Sequence, residues 1–319
     1  MLTYKDFKDK EEITVRSFPS ALAACERIRE KDKSGLYVIK IDGSSDKGSF
    51  KFPFSGFCLI STNSIITGNK YGRQPDENNI CNTTWRTATL TVTGSDNVFV
   101  NFTVENTASD PSDKGTSVAL SVLGNNNTFE NCSVSSTQDT LFLGPLPDDL
   151  ATRYIGFIPE DERFIEGNLR NYFIDSKISG SVDFIFGAGQ AVFSACHIES
   201  VEDGRMGVSY ITAPAHSLKD SFGFLFYGCS FISESIFCQR VYLSRPWRDY
   251  GKCAFIGCSY GQHIKKEGFT DWSISSFRYL TARYLEYPLS RGRVSWMLNS
   301  KQPEISKEYL DAISELNSI

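Results

Sequence analysis

The chain has 319 residues and is poor in histidine and methionine, with three of each. The histidines stand alone at 197, 216 and 263, and no CxxC or Cys/His cluster has metal-ligand spacing, so neither a metal nor a cofactor is expected. No apolar run approaches the roughly 18 residues of a membrane span, which excludes a helical membrane protein. Basic residues are not in excess: 33 Lys and Arg face 38 Asp and Glu, net −5. That balance excludes nucleic acid as the main partner. The opening MLTYKDFKDKEEITV mixes acids with lysines and has no apolar h-region, so no signal peptide is read. A cytoplasmic location is the expectation, or a secreted one if a signal has been trimmed. Nine cysteines, an odd number, cannot all pair within the chain. In a reducing compartment they read as mostly free, buried thiols. With 40% hydrophobic residues a sizeable core is affordable, which excludes a disordered chain.

What the sequence does have is a repeated strand-like pattern. Alternating segments recur at 98–104, 127–134, 171–178, 191–198, 223–231 and 252–260. Four of them place a cysteine in the same slot: Cys132, Cys196, Cys229 and Cys258. Short strands repeating at this spacing predict a solenoid whose coils stack at about 4.8 Å. The recurrent cysteines then form an inward-facing ladder of small hydrophobes. A solenoid has two raw ends. A helix at about 17–30, with Leu22, Cys25 and Ile28 on one stripe, is expected to cap one end. A second, at about 303–319 with Ile305, Tyr309, Ile313 and Leu316 on one face, is expected to pack along or over the other. The whole chain, 1–319, reads as one domain. One interval is too long, and its excess, 144–168, is rich in Pro, Gly and acids. It predicts an outward loop beside whatever the scaffold presents.

Two runs carry candidate chemistry: Thr137-Gln-Asp-Thr-Leu-Phe-Leu143 and Gly180-Ser-Val-Asp-Phe-Ile-Phe-Gly187. In the second, alternation puts Val182, Phe184 and Phe186 on one face and Asp183 on the other. Once the loop is subtracted, Asp139 lies about one coil before Asp183, so the two carboxylates fall on neighbouring rungs. Neighbouring acids push their pKa values apart, which separates a nucleophile from an acid/base. Gln138 offers an amide donor for an oxyanion. In Val241-Tyr-Leu-Ser-Arg-Pro-Trp247, Arg245 can hold a carboxylate ionised and Trp247 offers a flat face to a sugar ring.

The ordered set Gln138-Asp139-Thr140, Val182-Asp-Phe-Ile-Phe-Gly187 and Arg245-Pro-Trp247 resembles the pectin methylesterases (carbohydrate esterase family 8). Weaker echoes are Ile66-Thr-Gly-Asn69 and Ile211-Thr-Ala-Pro214. The resemblance runs from about 65 to 290. It implies a right-handed parallel β-helix and removal of methyl groups from methyl-esterified galacturonate of pectin or oligogalacturonides, releasing methanol. By the family pattern Asp183 is the nucleophile, Asp139 the general acid/base, Gln138 an oxyanion donor and Arg245 the residue that orients the nucleophile. Trp247 and Phe184 are assigned to substrate contact. No metal is implied. The sequence departs from the pattern at Thr116-Ser-Val-Ala-Leu120, where Thr116 stands in place of a second oxyanion glutamine. Two alternatives follow: a carbohydrate-binding β-helix without turnover, or a lyase or glycoside hydrolase on the same scaffold. The 144–168 loop, between the two catalytic runs, is expected to close part of the groove and favour short oligogalacturonides. The sequence assigns no oligomeric state.

Overall fold

The structure is a computed structural model and describes residues 1–108, 115–163, 165, 167, 169–204, 207–234, 239–297 and 307–317. Its strands form three parallel sheets of ten, seven and eight strands. Each complete coil gives one strand to each sheet. Thr128–Glu130, Ser133–Ser135 and Leu141–Leu143 make one coil, and Arg170–Ile174, Lys177–Gly180 and Val182–Gly187 stack on it in register. This is a right-handed parallel β-helix.

Each alternating segment read as one strand is two strands joined by a two-residue corner, whose first residue turns the chain. The corner residues Asn101, Asn131, Asp175, Ala195, Gly228 and Gly257 all have left-handed backbone, φ 49 to 64°. Asn, Asp and Gly tolerate that conformation; Ala195 does so at a cost. The bends break strict alternation: Phe99 and Phe102, like Phe129 and Cys132, both face the core three residues apart.

The interior is laddered. Phe99, Phe129, Phe173, Phe193, Phe226 and Phe255 stack ring on ring, with centroids 4.6–5.0 Å apart and planes within 14°. The recurrent cysteines lie beside this stack, and each thiol donates to a phenylalanine carbonyl one coil back: Cys132 to Phe99, Cys196 to Phe173, Cys229 to Phe193 and Cys258 to Phe226, at 3.3–3.4 Å. The eight described cysteines are free; Cys238 lies outside the described residues. At another corner Asn97, Asn127 and Asn171 form a buried ladder, each side-chain oxygen accepting from the backbone N–H of the coil before, as Asn171 does from Asn127 at 2.9 Å. Buried amides are thereby paired, which a stack of identical coils requires.

The ends and flanks are covered. The Phe18–Lys31 helix starts at Ser17, whose hydroxyl accepts from Ser20 N–H, and has Pro19 in its first turn. It buries Phe18, Ala21, Ala24 and Cys25 on the first coil, with Leu22 and Ile28 at its margin. The Lys307–Asn317 helix lies along the outer face of the ten-stranded sheet, where Tyr309, Ala312 and Ile313 meet Tyr172, Leu225 and Ile256. The remainder of the expected 303–319 helix lies outside the described residues. At the far end of the coil stack Trp296 packs on Phe269 and Tyr284.

One buried histidine makes stability depend on pH. His216 is 1% exposed; its Nε2 donates to the Gly189 carbonyl at 3.1 Å and its Nδ1 accepts from Lys252 N–H at 3.2 Å. A second proton would point Nδ1–H at that N–H. Burial pushes the His216 pKa down to about 4, against a smaller opposing pull from Asp220. The unfolded chain binds this proton near pH 6.5 and the folded chain near pH 4. Stability is therefore full above pH 6.5 and falls with pH between the two, by about 3 kcal/mol. Urea midpoints of the parent and of His216→Phe, compared at pH 7 and 4.5, are expected to converge at the lower pH. An unchanged gap between them would refute this role.

Candidate active site

Asp139 and Asp183 occupy equivalent places on adjacent coils. The Leu141–Leu143 strand pairs with Val182–Gly187 as Leu141 to Ile185, and the same register two residues earlier sets Asp139 beside Asp183. The Asp139 N–H donates to the Val182 carbonyl at 3.1 Å. Adjacent rungs put the two backbones about 4.8 Å apart. Both aspartates have left-handed backbone, φ 63° and 50°. At Asp183 the cause is a bulge: Val182 pairs with Tyr210 but Ile185 pairs with Thr212, so two residues face one. A bulge re-aims side chains, and here it turns the carboxylate outward.

The bulge also corrects the expected alternation. Phe184 and Ile185 both belong to the interior cluster, fully buried, so Phe184 is sealed from the groove. Phe186 instead joins the apolar cluster on the outer face of the seven-stranded sheet. The inserted residue shifts the in/out parity after Asp183.

Arg245 reaches Asp183 from two coils away. Its Nε donates to Oδ1 at 2.9 Å and its Nη2 to Oδ2 at 2.5 Å, while the carboxylate is 7% exposed. The guanidinium is sandwiched between the rings of Tyr210, at 3.7 Å, and Trp272, at 4.2 Å. Burial disfavours its charge, but the bonds to Asp183 and the charges of Asp183 and Asp139 outweigh that, and the Arg245 pKa is raised. The cation thus feels both carboxylates. Tyr210 and Trp272 were not singled out from sequence, since neither sits in a motif.

Gln138 and Asp139 are half-buried, and the Gln138 carbonyl accepts from Ser117 N–H at 3.0 Å, which sets the Thr116–Leu120 run directly alongside. The Thr116 hydroxyl accepts from the Thr84 hydroxyl at 3.1 Å. Trp247 is half-buried and its ring is largely taken up by the protein. It stacks on Trp85 with centroids 6.3 Å apart, meets Phe186 edge-on and carries the Arg248 guanidinium 4.7 Å from its centroid.

The long loop contains two short helices, Asp148–Arg153 and Glu160–Arg163, and packs on the outer face of the seven-stranded sheet. Leu146, Leu150 and Ile158 cover Val118, Phe142 and Phe186. Ion pairs hold it at both sides: Arg248 with Asp149 at 2.8 Å, and Lys51 with Asp161 at 2.6 Å and Glu162 at 2.9 Å.

The fold places the chain among parallel β-helix proteins, and solved structures share it. It resembles a pectin methylesterase from carrot (TM-score 0.67, 23% identity, covering 83% of this chain and 78% of that one). It also resembles a pectin methylesterase crystallised with a hexasaccharide (TM-score 0.70, 19% identity, covering 95% and 97%). At these identities the likeness is one of fold. The profile of the family described as Pectinesterase matches residues 28–145 and 161–301. The chain belongs to the pectinesterase family, a class of carboxylic ester hydrolases. A pectinesterase of Petunia integrifolia is 27% identical over 248 residues, 74% of this chain and 58% of the relative. The chain spans less than half the length of two Arabidopsis thaliana relatives, 42% and 46%.

Proposed function

We propose that this chain is a carboxylic ester hydrolase that removes methyl groups from methyl-esterified galacturonate in pectin or its oligosaccharides. The observation that carries the reading is the Asp183 carboxylate, aimed outward at a bulge, clamped by Arg245 and one rung from Asp139. The hexasaccharide bound to a protein of like fold supports a sugar-chain substrate.

In this mechanism Asp183 is the ionised partner, because it carries the paired bonds to Arg245, and Asp139 holds the proton. An Asp183 oxygen attacks the ester carbonyl carbon. The Gln138 amide donates to the resulting oxyanion. The C–O bond to the methoxy group breaks as Asp139 passes its proton to that oxygen, and methanol leaves. An acyl anhydride on Asp183 remains. Asp139, now a carboxylate, takes a proton from water, whose oxygen attacks the acyl carbon. The anhydride bond breaks, freeing the galacturonic acid, whose proton passes to solvent, and leaving Asp183 a carboxylate and Asp139 protonated. Arg245 keeps the Asp183 oxygens oriented throughout.

One feature favours the binding-only alternative: Thr116, whose hydroxyl has a shorter reach than an amide, stands where the family pattern has an oxyanion glutamine. Methanol release from methylated pectin and methylated oligogalacturonides, by the parent and by Thr116→Gln, separates the two. Methanol from the parent and a faster variant, by up to about 10²-fold, is the expected result. Sugar binding with no methanol from either protein would leave the binding reading, and new unsaturated ends would indicate a lyase.

A further inference from the structure

The outer face of the seven-stranded sheet is closed on one side of the carboxylate pair. By register, the positions equivalent to Asp139 on the two preceding coils are Val118 and Ala88. A sugar chain running along the axis from Asp183 past Asp139 crosses both. There the chain makes two long excursions, 69–89 and 144–163, and they meet. Arg86 donates from Nε and Nη2 to the Phe157 carbonyl at 3.1 and 2.7 Å, and its guanidinium lies 3.6 Å from the Phe157 ring centroid. Trp85 packs on Tyr154, with ring centroids 6.2 Å apart, and on Phe142, at 5.2 Å. Lys51 ties the far edge to Asp161 and Glu162. Between this roof and a floor that includes Ala88, Val118 and Phe142 remains a void of about 20 Å³. That is room for about one water and not for a sugar ring.

Among the described residues, the coils after Asp183 carry Tyr210, Arg245 and Trp272 rather than two joined excursions. A cavity of about 250 Å³, lined by Val182, Ser209, Tyr210 and Arg240, opens beside Val182, the residue before Asp183. Tyr210 also forms one wall of the Arg245 sandwich.

We propose that the groove is one-ended: the joined excursions stop a substrate chain just beyond Asp139, so the enzyme acts on the unit at one end of a methylated oligogalacturonide and disfavours internal units of the polymer. The proposal rests on the pectinesterase reading for the identity of the sugar, and it goes further by naming the substrate form and the side chains that select it. The blocked direction is held by Arg86, Trp85 and Lys51 on one excursion and its neighbouring strand, and by Phe157, Asp161 and Glu162 on the other.

The test uses methylated hexagalacturonide carrying a bulky fluorophore at either the reducing or the non-reducing end. Binding by titration and methanol release are both measured. One tagged form is expected to bind roughly tenfold or more weakly than the other. The double variant Lys51→Ala, Arg86→Ala is expected to narrow that difference and to raise the methanol rate on polymer relative to hexamer. Equal binding of both tagged forms by the parent overturns the one-ended groove and leaves the esterase reading standing. Tag-selective binding without methanol supports the groove and overturns the esterase. The parent measurement stands by itself if the double variant folds poorly.

Discussion

Asp183→Asn is expected to lower methanol release by on the order of 10⁴-fold or more, the scale of removing a nucleophile that acts as one unit with its partners. The substitution keeps the volume and one acceptor oxygen for Arg245 but removes the charge and the attacking carboxylate. An amide cannot form the acyl anhydride that the proposed mechanism requires. Binding energy for the sugar comes from the walls of the groove, so affinity for a methylated oligogalacturonide should persist within about tenfold. Stability should fall, because the half-buried Arg245 between two rings loses its countercharge; breaking such a pair costs up to about 3 kcal/mol. Thermal melts of the variant must therefore show a cooperative fold at the assay temperature. A folded Asp183→Asn variant that still releases methanol near the parent rate refutes the assignment of the nucleophile.

Arg245→Met separates orientation from packing. Methionine has similar length and fills the space between Tyr210 and Trp272, but it leaves the Asp183 carboxylate 7% exposed without its cation. A loss of about 3–5 kcal/mol in unfolding free energy is expected from the uncompensated buried charge. The acid limb of the kcat/KM profile should move to higher pH. Losing the cation removes the charge that favours an ionised carboxylate, so more alkaline conditions are needed to ionise it. Arg245→Lys restores a positive charge but not the paired geometry, and should recover stability more fully than rate. Urea midpoints and the pH profile of the three proteins check this. An unshifted acid limb in a folded Arg245→Met variant would show that Arg245 does not hold the reacting carboxylate.

Much of the architecture was legible in the residues themselves. A repeated slot for Cys132, Cys196, Cys229 and Cys258 implied stacked coils because each coil buries its face only on its neighbour. The same arithmetic put Asp139 and Asp183 on adjacent rungs, where the register of the two strands sets them. One expectation is overturned. Phe184 was assigned to the groove and lies in the core, because strict alternation cannot register a bulge that inserts one residue at Asp183. Trp247, expected to offer a flat face to a sugar ring, is half-buried and stacked on Trp85, which comes from an excursion with no periodicity to locate it.

Sequence alone determined what repeats: the coil, the inward ladder, and the two acids at equivalent positions. These follow from nearest-neighbour stacking, which leaves a periodic trace. Only the tertiary structure decided which residues Arg245 lies between, which way the chain turns at Asp183, and where the groove ends. Lys51 meets Asp161 across 110 residues of chain, and Arg245 meets Asp183 across 62. Such pairs depend on how separate excursions fold over one sheet face, and the residues that form them carry no pattern that names their partner.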